Sequence, residues 1–340
     1  MLSLLDITSP YFSDNHWHDY HGLLRQLKER YKSFCRDVPW QEFKNTMLSE
    51  AAKEACYYRA VIFEQDVAVG WVSLRAFNFG RPEQMVFSDC DALYNNIPES
   101  IRKIAARQLT EWMVFRDLRE TFMVAFGRRL TAVADAWGGQ RLNGLNEFVL
   151  YRNRANNEVL HEWLDTIPRR NENLHLEFFP ETPENCLEEL AVLLTDLLCD
   201  MPEEGDGGMN YKVSVEDMKK QIIWRRENKV PSHKVILFNE RNEPVGVSMA
   251  EISLANPSSA SQAMTGVRQD YRSRRLARWL KAALYFKLGE EFPTNEKIIT
   301  VMRAVNEPMQ KINAQMGYVL EREGTEFKVE LKKLKTYLNG

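Results

Sequence analysis

The chain has 340 residues, of which 44% are hydrophobic and 27% are charged. A chain of this length is typical of two domains, and each half is long enough to bury a core of its own. The formal net charge is −3 at pH 7 and the isoelectric point is about 6.2. This balance gives no general attraction to nucleic acid or to an anionic membrane, so we expect neither as a partner.

Cysteine usage and the N-terminal residues indicate the compartment. The chain has five cysteines, an odd number, and none of them forms a C-x-x-C pair. Such usage is typical of a reducing, cytoplasmic environment. The first residues lack the basic and then apolar pattern of a signal peptide, and the most apolar segment, residues 190–199, is too short to cross a bilayer. We therefore expect a cytoplasmic protein.

Three histidines, His16, His18 and His21, lie close together in the sequence. Their spacing does not place all three on one helix face, and no neighbouring cysteine or carboxylate pair completes a ligand set. We expect no bound metal.

The predicted elements of the N-terminal half change from helical to mixed. Leu23, Leu24, Leu27 and Tyr31 recur at helical spacing, so the first 60 residues are predicted to be helical. Strands are predicted after that point. In chain order, the predictions are a helical run that breaks at residues 38–40, a helix at 41–55, strands at 59–63 and 69–77, a helix at 98–119, a strand at 122–126, a helix at 130–137 and a strand at 147–151.

The order of elements repeats after a polar and charged stretch at residues 153–173. In chain order, the predictions are a strand at 174–179, helices at 184–199 and 215–227, strands at 234–239, 245–254 and 263–267, a helix at 274–288, a strand at 297–303, a helix at 308–316 and a strand at 327–331. Residues 69–73 and 245–249 correspond in this alignment of the halves. A repeat this long indicates two copies of one domain. We place the boundary near residue 170, which gives domains at 1–170 and 171–340.

The most informative segment is residues 265–277, where a strand ends, a basic loop follows and a long helix begins. Exposed backbone N–H groups at a helix N-terminus, together with the helix dipole, form a binding site for phosphate. Four arginines add positive charge around this helix start: Arg272, Arg274, Arg275 and Arg278. A pyrophosphate is the ligand that this arrangement favours.

This strand, loop and helix resemble the acetyl-CoA motif of GNAT enzymes, (Q/R)-x-x-G-x-(G/A), with Arg272 at the first position and Ala277 at the last. The fourth position, normally glycine, is Arg275. A second segment, residues 306–318, is similar to the N-x-x-M-x-x-x-N-x-x-x-G-(F/Y) pattern of tandem GNAT proteins. The resemblance is good over residues 174–331 and is mostly one of layout over residues 55–151.

The resemblance implies an α/β (α+β) fold of two tandem GNAT-like lobes, each with a mixed, mostly antiparallel, splayed sheet flanked by helices. It also implies an N-acetyltransferase that moves an acetyl group from acetyl-CoA to a primary amine of a small molecule or peptide, as a monomer or homodimer. The residues that it assigns to acetyl-CoA binding are Gly266, Val267, Arg272, Ser273, Arg274, Arg275, Leu276, Ala277, Arg278, Asn306, Met309 and Asn313.

Two features leave a second interpretation open. Arg275 in place of glycine either binds phosphate through its guanidinium or blocks the backbone N–H groups. In the N-terminal half, the acidic segment 88–91 lies where phosphate would bind, which predicts a structural lobe. The alternative function is a non-catalytic CoA sensor or interaction scaffold built from decayed lobes.

The resemblance also implies catalytic groups. A backbone N–H near Val267 is expected to polarise the thioester carbonyl. Glu251 continues the apolar strand face of Val245, Val247 and Met249 and is the candidate base. The competing interpretation is that the strand ends in solvent there and that Glu251 is simply exposed.

The proton donor to the leaving thiolate is less defined. Many relatives use a tyrosine in the late helix, and here that position is Asn313. The candidates are Tyr271, Tyr318, water or no group at all.

Asn306 is equally suited to bind the cofactor or to cap the helix that begins near Pro308. The acidic segment 203–208 either attracts a cationic amine or is a mobile linker.

Overall fold

The computed structural model describes residues 2–31, 38–53, 57–77, 85–202, 211–227, 229–254 and 256–340. The acidic segment 203–208 lies outside these residues. The strands are β1 (Leu2–Asp6), β2 (Tyr57–Glu64), β3 (Val67–Phe77), β4 (Met85–Ala92), β5 (Glu120–Phe126), β6 (Gln140–Tyr151), β7 (His175–Phe179), β8 (Ser232–Phe238), β9 (Pro244–Ser253), β10 (Asn256–Val267), β11 (Lys297–Arg303) and β12 (Val319–Glu330). The helices are α1 (Asp14–Tyr31), α2 (Trp40–Lys53), α3 (Glu99–Phe115), α4 (Gly127–Ala136), α5 (Asn157–Thr166), α6 (Leu187–Cys199), α7 (Val215–Glu227), α8 (Leu276–Glu291), α9 (Glu307–Met316) and α10 (Leu331–Asn339).

The order of elements confirms an internal repeat. The series β1-α1-α2-β2-β3-β4-α3-β5-α4-β6 recurs as β7-α6-α7-β8-β9-β10-α8-β11-α9-β12. Helix α5 joins the two copies and α10 follows the second. The local pattern does not predict β1, which has only five residues, or β4. The pattern misses β4 because this strand carries Asp89 and Asp91, and aspartate is depleted in strands.

The described residues form two compact units whose limits differ from the predicted boundary near residue 170. The N-terminal unit contains described residues from Met1–Asn78, Glu83–Gly144 and Gly324–Gly340, and the C-terminal unit contains Leu145–Glu323. The limits therefore lie inside β6 and β12. The predicted boundary was placed in the polar linker because a sequence pattern indicates where strands lie but not which strands pair with each other.

The N-terminal unit has the strand order β1-β2-β3-β4-β5-β12-β6. Residues 324–330 of β12 pair antiparallel with residues 120–126 of β5. Phe327 and Val329 of β12 and Leu334 of α10 are fully buried in a core that includes much of α3. Helix α1 covers a second core around Trp17 and Tyr20. The last strand of the second copy thus completes the sheet of this unit.

The C-terminal unit has the order β7-β8-β9-β10-β11-β6-β12. Residues 145–151 of β6 pair antiparallel with β11, so the last strand of the first copy completes this sheet. Helices α5 and α8 pack in one core and helices α6 and α7 in another. The pair β10–β11 is parallel, whereas β7–β8, β8–β9 and β9–β10 are antiparallel. The sheet is therefore mixed and mostly antiparallel, as predicted.

The expected splay is present between β10 and β11. Their parallel pairing is confined to residues 259–261 and 297–299, yet β10 continues to Val267 and β11 to Arg303. A bulge at Ala263 lies just beyond the last paired residue, because Gln262 faces Ala250 while Met264 faces Met249. A bulge bends its strand and interrupts the ladder, which is the local cause of the separation.

No helix in the described ranges is both long and apolar enough to cross a membrane. Within the same ranges, no three His, Cys, Asp or Glu side chains are grouped so that they could hold a metal ion.

Candidate functional site

A cleft occupies the space between the separated ends of β10 and β11. Its volume is about 730 Å³, within the usual range of small-molecule sites. Residues of β10, β11, α6, α8 and α9 and of neighbouring loops line it. Its inner end lies at Gln262 and Thr300, just past the last paired residues, and its mouth lies at Val267 and the start of α8.

The start of α8 forms the mouth of the cleft. Its cap residue, Arg275, has a left-handed backbone with a φ of 64°, and its side chain makes no capping hydrogen bond because arginine carries no acceptor. Leu276 and Ala277, the first residues of the helix, line the cleft. First-turn N–H groups have no intrahelical acceptor and lie at the positive end of the helix dipole, so they can bind an anion.

The lining of the cleft is basic. Among the described lining residues one is acidic, Asp200, and six are basic: Arg272, Arg275, Arg278, Lys281, Arg303 and Lys311. Arg272 is held at both ends of its guanidinium. Its Nε donates to the backbone oxygen of Val267 at 3.0 Å, and its Nη2 donates to Asp200 at 2.7 Å. This excess of positive charge favours an anionic ligand.

The inner end contains a network of buried polar side chains centred on Gln262. Its amide oxygen accepts hydrogen bonds from Lys281 Nζ and, at 2.9 Å, from the Tyr318 hydroxyl. Its amide nitrogen donates to the hydroxyls of Ser248 and Thr265 at 3.0 and 3.1 Å. All four hydrogen-bonding positions of the Gln262 side chain are therefore used, which fixes its orientation.

Lys281 is the charged member of this network. Its side chain projects from α8, the residue is only 2% exposed, and Nζ lies 5.0 Å from the centre of the Tyr318 ring. Burial lowers the pKa of Lys281 to about 7, and burial also raises the pKa of Tyr318. Because Lys281 and Gln262 both line the cleft, a buried amine faces its inner end.

Most residues predicted to bind acetyl-CoA are brought together here. Ten of the twelve line the cleft, and Arg274 and Asn313 are outside its described lining. Arg274 instead donates to the side chains of Asn171 and Asn173 at 2.8 and 3.4 Å, so it holds the loop in place. Asn313 is fully buried, and its amide nitrogen contacts the sulfur of Met302 at 3.9 Å.

Asn306 has the capping role that was one of its two expected roles. Its side-chain oxygen accepts a hydrogen bond from the backbone N–H of Met309 at 3.3 Å and thereby caps α9. It also lines the cleft, so capping and ligand contact are compatible at this position.

Val247 and Met249 pack in the core of α6 and α7, and Glu251 continues their face of β9, but Val245 packs in the other core, so the predicted face is shorter than expected. Neither of the two expected environments of Glu251 is found. Arg225 of α7 forms an ion pair with it at 2.5 Å, and the Glu251 side chain is 31% exposed. It lies opposite Ser261 of β10, at the point where β10 and β11 separate. The described lining of the cleft does not include Glu251.

The structure separates Val267 and Tyr271 from the inner end. Arg268 N–H donates to Val245 O at 2.9 Å, so Val267 and Gly246 exchange no backbone hydrogen bonds and the Val267 N–H points away from β9, towards the cleft. Val267 is, however, at the mouth, and the bulge lies four residues earlier. Tyr271 lines the cleft near its mouth, and its hydroxyl accepts from Asn239 Nδ2 at 3.4 Å. Neither residue is placed to act at the inner end.

Known proteins match this chain in structure. No family model matches it, and no curated protein matches it in sequence. A tandem GNAT protein from the clavulanic acid biosynthesis pathway, solved without acetyl-CoA, matches with a TM-score of 0.74 and 16% identity over 97% of this chain and 99% of that one. The fold is that of a tandem GNAT protein. A GCN5-related N-acetyltransferase from Sphaerobacter thermophilus matches with a TM-score of 0.67 and 9% identity over 97% and 96% of the two chains.

A third similar structure is the glucosamine N-acetyltransferase region of a fungal multi-domain β-N-acetylglucosaminidase. It matches with a TM-score of 0.61 and 10% identity over 96% of this chain and 38% of that one. At such identities the likeness establishes the tandem GNAT fold, and the chemistry depends on the residues of the cleft.

The two copies of the tandem GNAT fold differ at the corresponding site. Gly70 faces Ala92 as Gly246 faces Val267, so Ala92 is the counterpart of Val267. The acidic segment 88–91, which was expected where phosphate would bind, is part of β4. Arg129 forms an ion pair with the buried Asp91 and donates to Ala92 O at 2.7 Å. The cavity beside Asp91 measures only about 10 Å³.

The residues that sequence reasoning missed in this tandem GNAT fold are Gln262 and Lys281. A usable signal exists for Lys281, because it is a lone charge between Leu280 and Ala282 on the buried face of α8. A lysine is seldom fully buried, so one within an apolar helix face is a candidate for a site. Gln262 offers no such signal, since its role depends on the bulge beside it.

Proposed function

We propose that the C-terminal unit binds acetyl-CoA in this cleft and transfers the acetyl group to a primary amine of a small molecule or peptide. One observation carries the proposal: a basic helix start, a strand edge that is not paired and a polar inner end follow one another along a single cleft. A ligand with a phosphate head, an amide-containing arm and a reactive end matches these three parts in order.

Each part of the chain has a defined role in this proposal. The N–H groups of Leu276 and Ala277 bind pyrophosphate together with Arg272 and Arg275. The cleft-facing edge of β10, including the N–H of Val267, orients the arm as an added strand would. The bound thioester supplies the acetyl group at the inner end.

Acyl transfer itself is assigned to the inner end. We place polarisation of the thioester carbonyl at the bulge around Ala263 rather than at Val267, because the bulge interrupts the β9 ladder where the cleft closes. The amine nitrogen bonds to the carbonyl carbon while the carbon–sulfur bond breaks. Glu251, opposite Ser261, is the proposed acceptor of the amine proton, and CoA leaves with its sulfur protonated by solvent.

The test is a calorimetric titration of the full chain with acetyl-CoA. We expect micromolar binding that weakens by about tenfold or more in Arg272→Ala, since a charge-assisted contact contributes about 1.5–3 kcal/mol. Arg268→Ala is the matched control. Arg268 belongs to the same loop but pairs with Asp270 at 2.8 and 3.0 Å and is outside the described lining of the cleft.

The outcomes separate the two candidate functions. Absence of binding at millimolar acetyl-CoA would exclude the proposal. Binding without acetylation across a panel of primary amines would favour the CoA sensor instead, whereas release of free CoA thiol that requires an amine would establish the transferase.

A further inference from the structure

We propose that the inner end of the cleft selects acyl groups that carry a carboxylate, and that Lys281 binds this carboxylate. The proposal rests on the proposed function, because CoA delivers the acyl group. It extends the acyl donors from acetyl-CoA to the CoA thioesters of short dicarboxylic acids. Lys281 would then determine the specificity for the acyl group.

The first support is a buried lysine without a counter-charge. Lys281 is 2% exposed, and within the described chain no charged neighbour contributes to its pKa, which burial alone lowers. The side chains around it in the network are neutral. Removing an ammonium from water without an anionic partner is costly. A ligand carboxylate would supply the missing partner and would restore the charged form of the lysine.

The second support is the direction and reach of the amine. Among the described residues, Gln262 is the hydrogen-bond acceptor of Lys281 Nζ, and an ammonium has three N–H donors. The centre of the Tyr318 ring lies 5.0 Å from Lys281 Nζ. The Lys281 side chain also lines the cleft. Because Tyr318, Ser248 and Thr265 fix Gln262, Lys281 is held in place before any ligand arrives.

The third support is position along the cleft. Lys281 contacts Gln262, the residue next to the bulge, whereas the phosphate-binding arginines lie at the mouth. Val267 lies five positions after Gln262 along β10, a span of roughly 17 Å for extended strand. A carboxylate at the far end of the acyl group is therefore the anionic part of the ligand that reaches Lys281, and the pyrophosphate stays near Arg272.

The experiment compares succinyl-CoA with butyryl-CoA, which have equal numbers of acyl carbons and differ in the terminal carboxylate. Fresh solutions of each, and of CoA itself, are titrated calorimetrically into the full chain, into Lys281→Met and into Lys311→Met. Methionine keeps an unbranched side chain without the charge. Lys311 is the matched control, because it also lines the cleft but is 75% exposed and pairs with Glu307 at 3.4 Å.

We expect the unmodified chain and Lys311→Met to bind succinyl-CoA about tenfold or more tightly than butyryl-CoA, and Lys281→Met to lose this difference. Equal affinities in the unmodified chain would overturn the proposal without any variant. A preference that survives in Lys281→Met would also overturn it, because another residue would then read the carboxylate. Failure of CoA itself to bind would instead count against the proposed function.

A second readout is the number of protons that the protein takes up when the ligand binds. A carboxylate beside Lys281 raises its pKa, so at pH 8 the complex takes up protons that the free protein lacks. Titrations in buffers of different ionisation enthalpy measure this uptake. We expect more uptake with succinyl-CoA than with butyryl-CoA, and no such excess in Lys281→Met. Equal uptake with both ligands would contradict the assignment.

Discussion

At the scale of residues, the basic loop before α8 contains two backbone conformations that glycine adopts more easily. Ser273 and Arg275 both have a φ of 64°, and the left-handed conformation costs a residue with a Cβ roughly 1–2 kcal/mol. Arg275 stands where the GNAT motif has glycine. Its side chain is exposed, lines the cleft and has no ion pair with a described residue. Keeping a strained arginine here is consistent with a role for its charge in binding.

The variant Arg275→Gly tests this role by separating strain from charge. Glycine removes the left-handed strain, so the free energy of unfolding should rise by about 1 kcal/mol. It also removes a cation from the mouth, so acetyl-CoA affinity should fall by about tenfold. Urea unfolding and calorimetry measure the two quantities.

Ser273→Gly is the matched control for Arg275→Gly. It relieves the same kind of strain in the same loop and leaves the charge of the cleft unchanged, so it should stabilise the fold with little change in affinity. A gain of affinity in Arg275→Gly would show that the native side chain blocks the backbone N–H groups.

At the scale of elements, β3 and β9 each cross the end of the next strand at a glycine. A Cβ on Gly70 would lie 2.9 Å from the backbone oxygen of Asp91, and one on Gly246 would lie 3.2 Å from that of Gly266. Both approaches involve backbone atoms, which cannot rotate away as a side chain does. The same close crossing in both copies explains why this glycine is common to the two halves.

Gly70→Ala should therefore destabilise the chain by about 1–3 kcal/mol, the usual cost of an overpacked core. Gly22→Ala is the control, because a Cβ at Gly22 of α1 would meet no atom within 4 Å. In a helix that change should stabilise by about 0.5–1 kcal/mol. Urea unfolding of both variants measures the difference, and a neutral Gly70→Ala would show that the strands can move apart.

At the scale of the whole molecule, the two copies exchange their last strands. Residues 324–330 lie beside β5 in the N-terminal unit, and residues 145–151 lie beside β11 in the C-terminal unit. The tail of the chain consequently contributes Phe327, Val329 and Leu334 to the core of the N-terminal unit. A division of the chain near residue 170 would leave each sheet without a strand.

Phe327→Ala should destabilise the N-terminal unit by about 3–5 kcal/mol, the usual cost of truncating a fully buried aromatic side chain. Leu320→Ala in the same strand should change stability by about 0.5 kcal/mol or less, because Leu320 is 48% exposed. Hydrogen exchange locates the effect. Faster exchange in α3 and β5 is expected for Phe327→Ala, and faster exchange confined to α8 and β10 would contradict the strand exchange.

Local pattern alone was sufficient for much of the fold. The helix at 215–227 and the strand at 297–303 have the predicted limits, because their residues carry a continuous propensity and are bounded by breaks in it. The basic loop before α8 is also readable locally, since a strand, a run of arginines and a helix start follow one another in sequence. Most residues expected at the cleft belong to this continuous segment, which is why they are found together.

Tertiary structure decided what depends on contacts between distant residues. The exchange of β6 and β12 is a choice of pairing partner, and strands of similar pattern do not encode that choice locally. Glu251 shares a strand face with Val247 and Met249 as expected, but Arg225, 26 residues away, determines its ion pair. Lys281 meets Gln262 and Tyr318 only because α8 packs over the bulge in β10. The sequence by itself determined the repeat and the basic loop before α8, whereas packing decided the division into units and the polar network of the inner end, because burial and pairing exist only once the chain is folded.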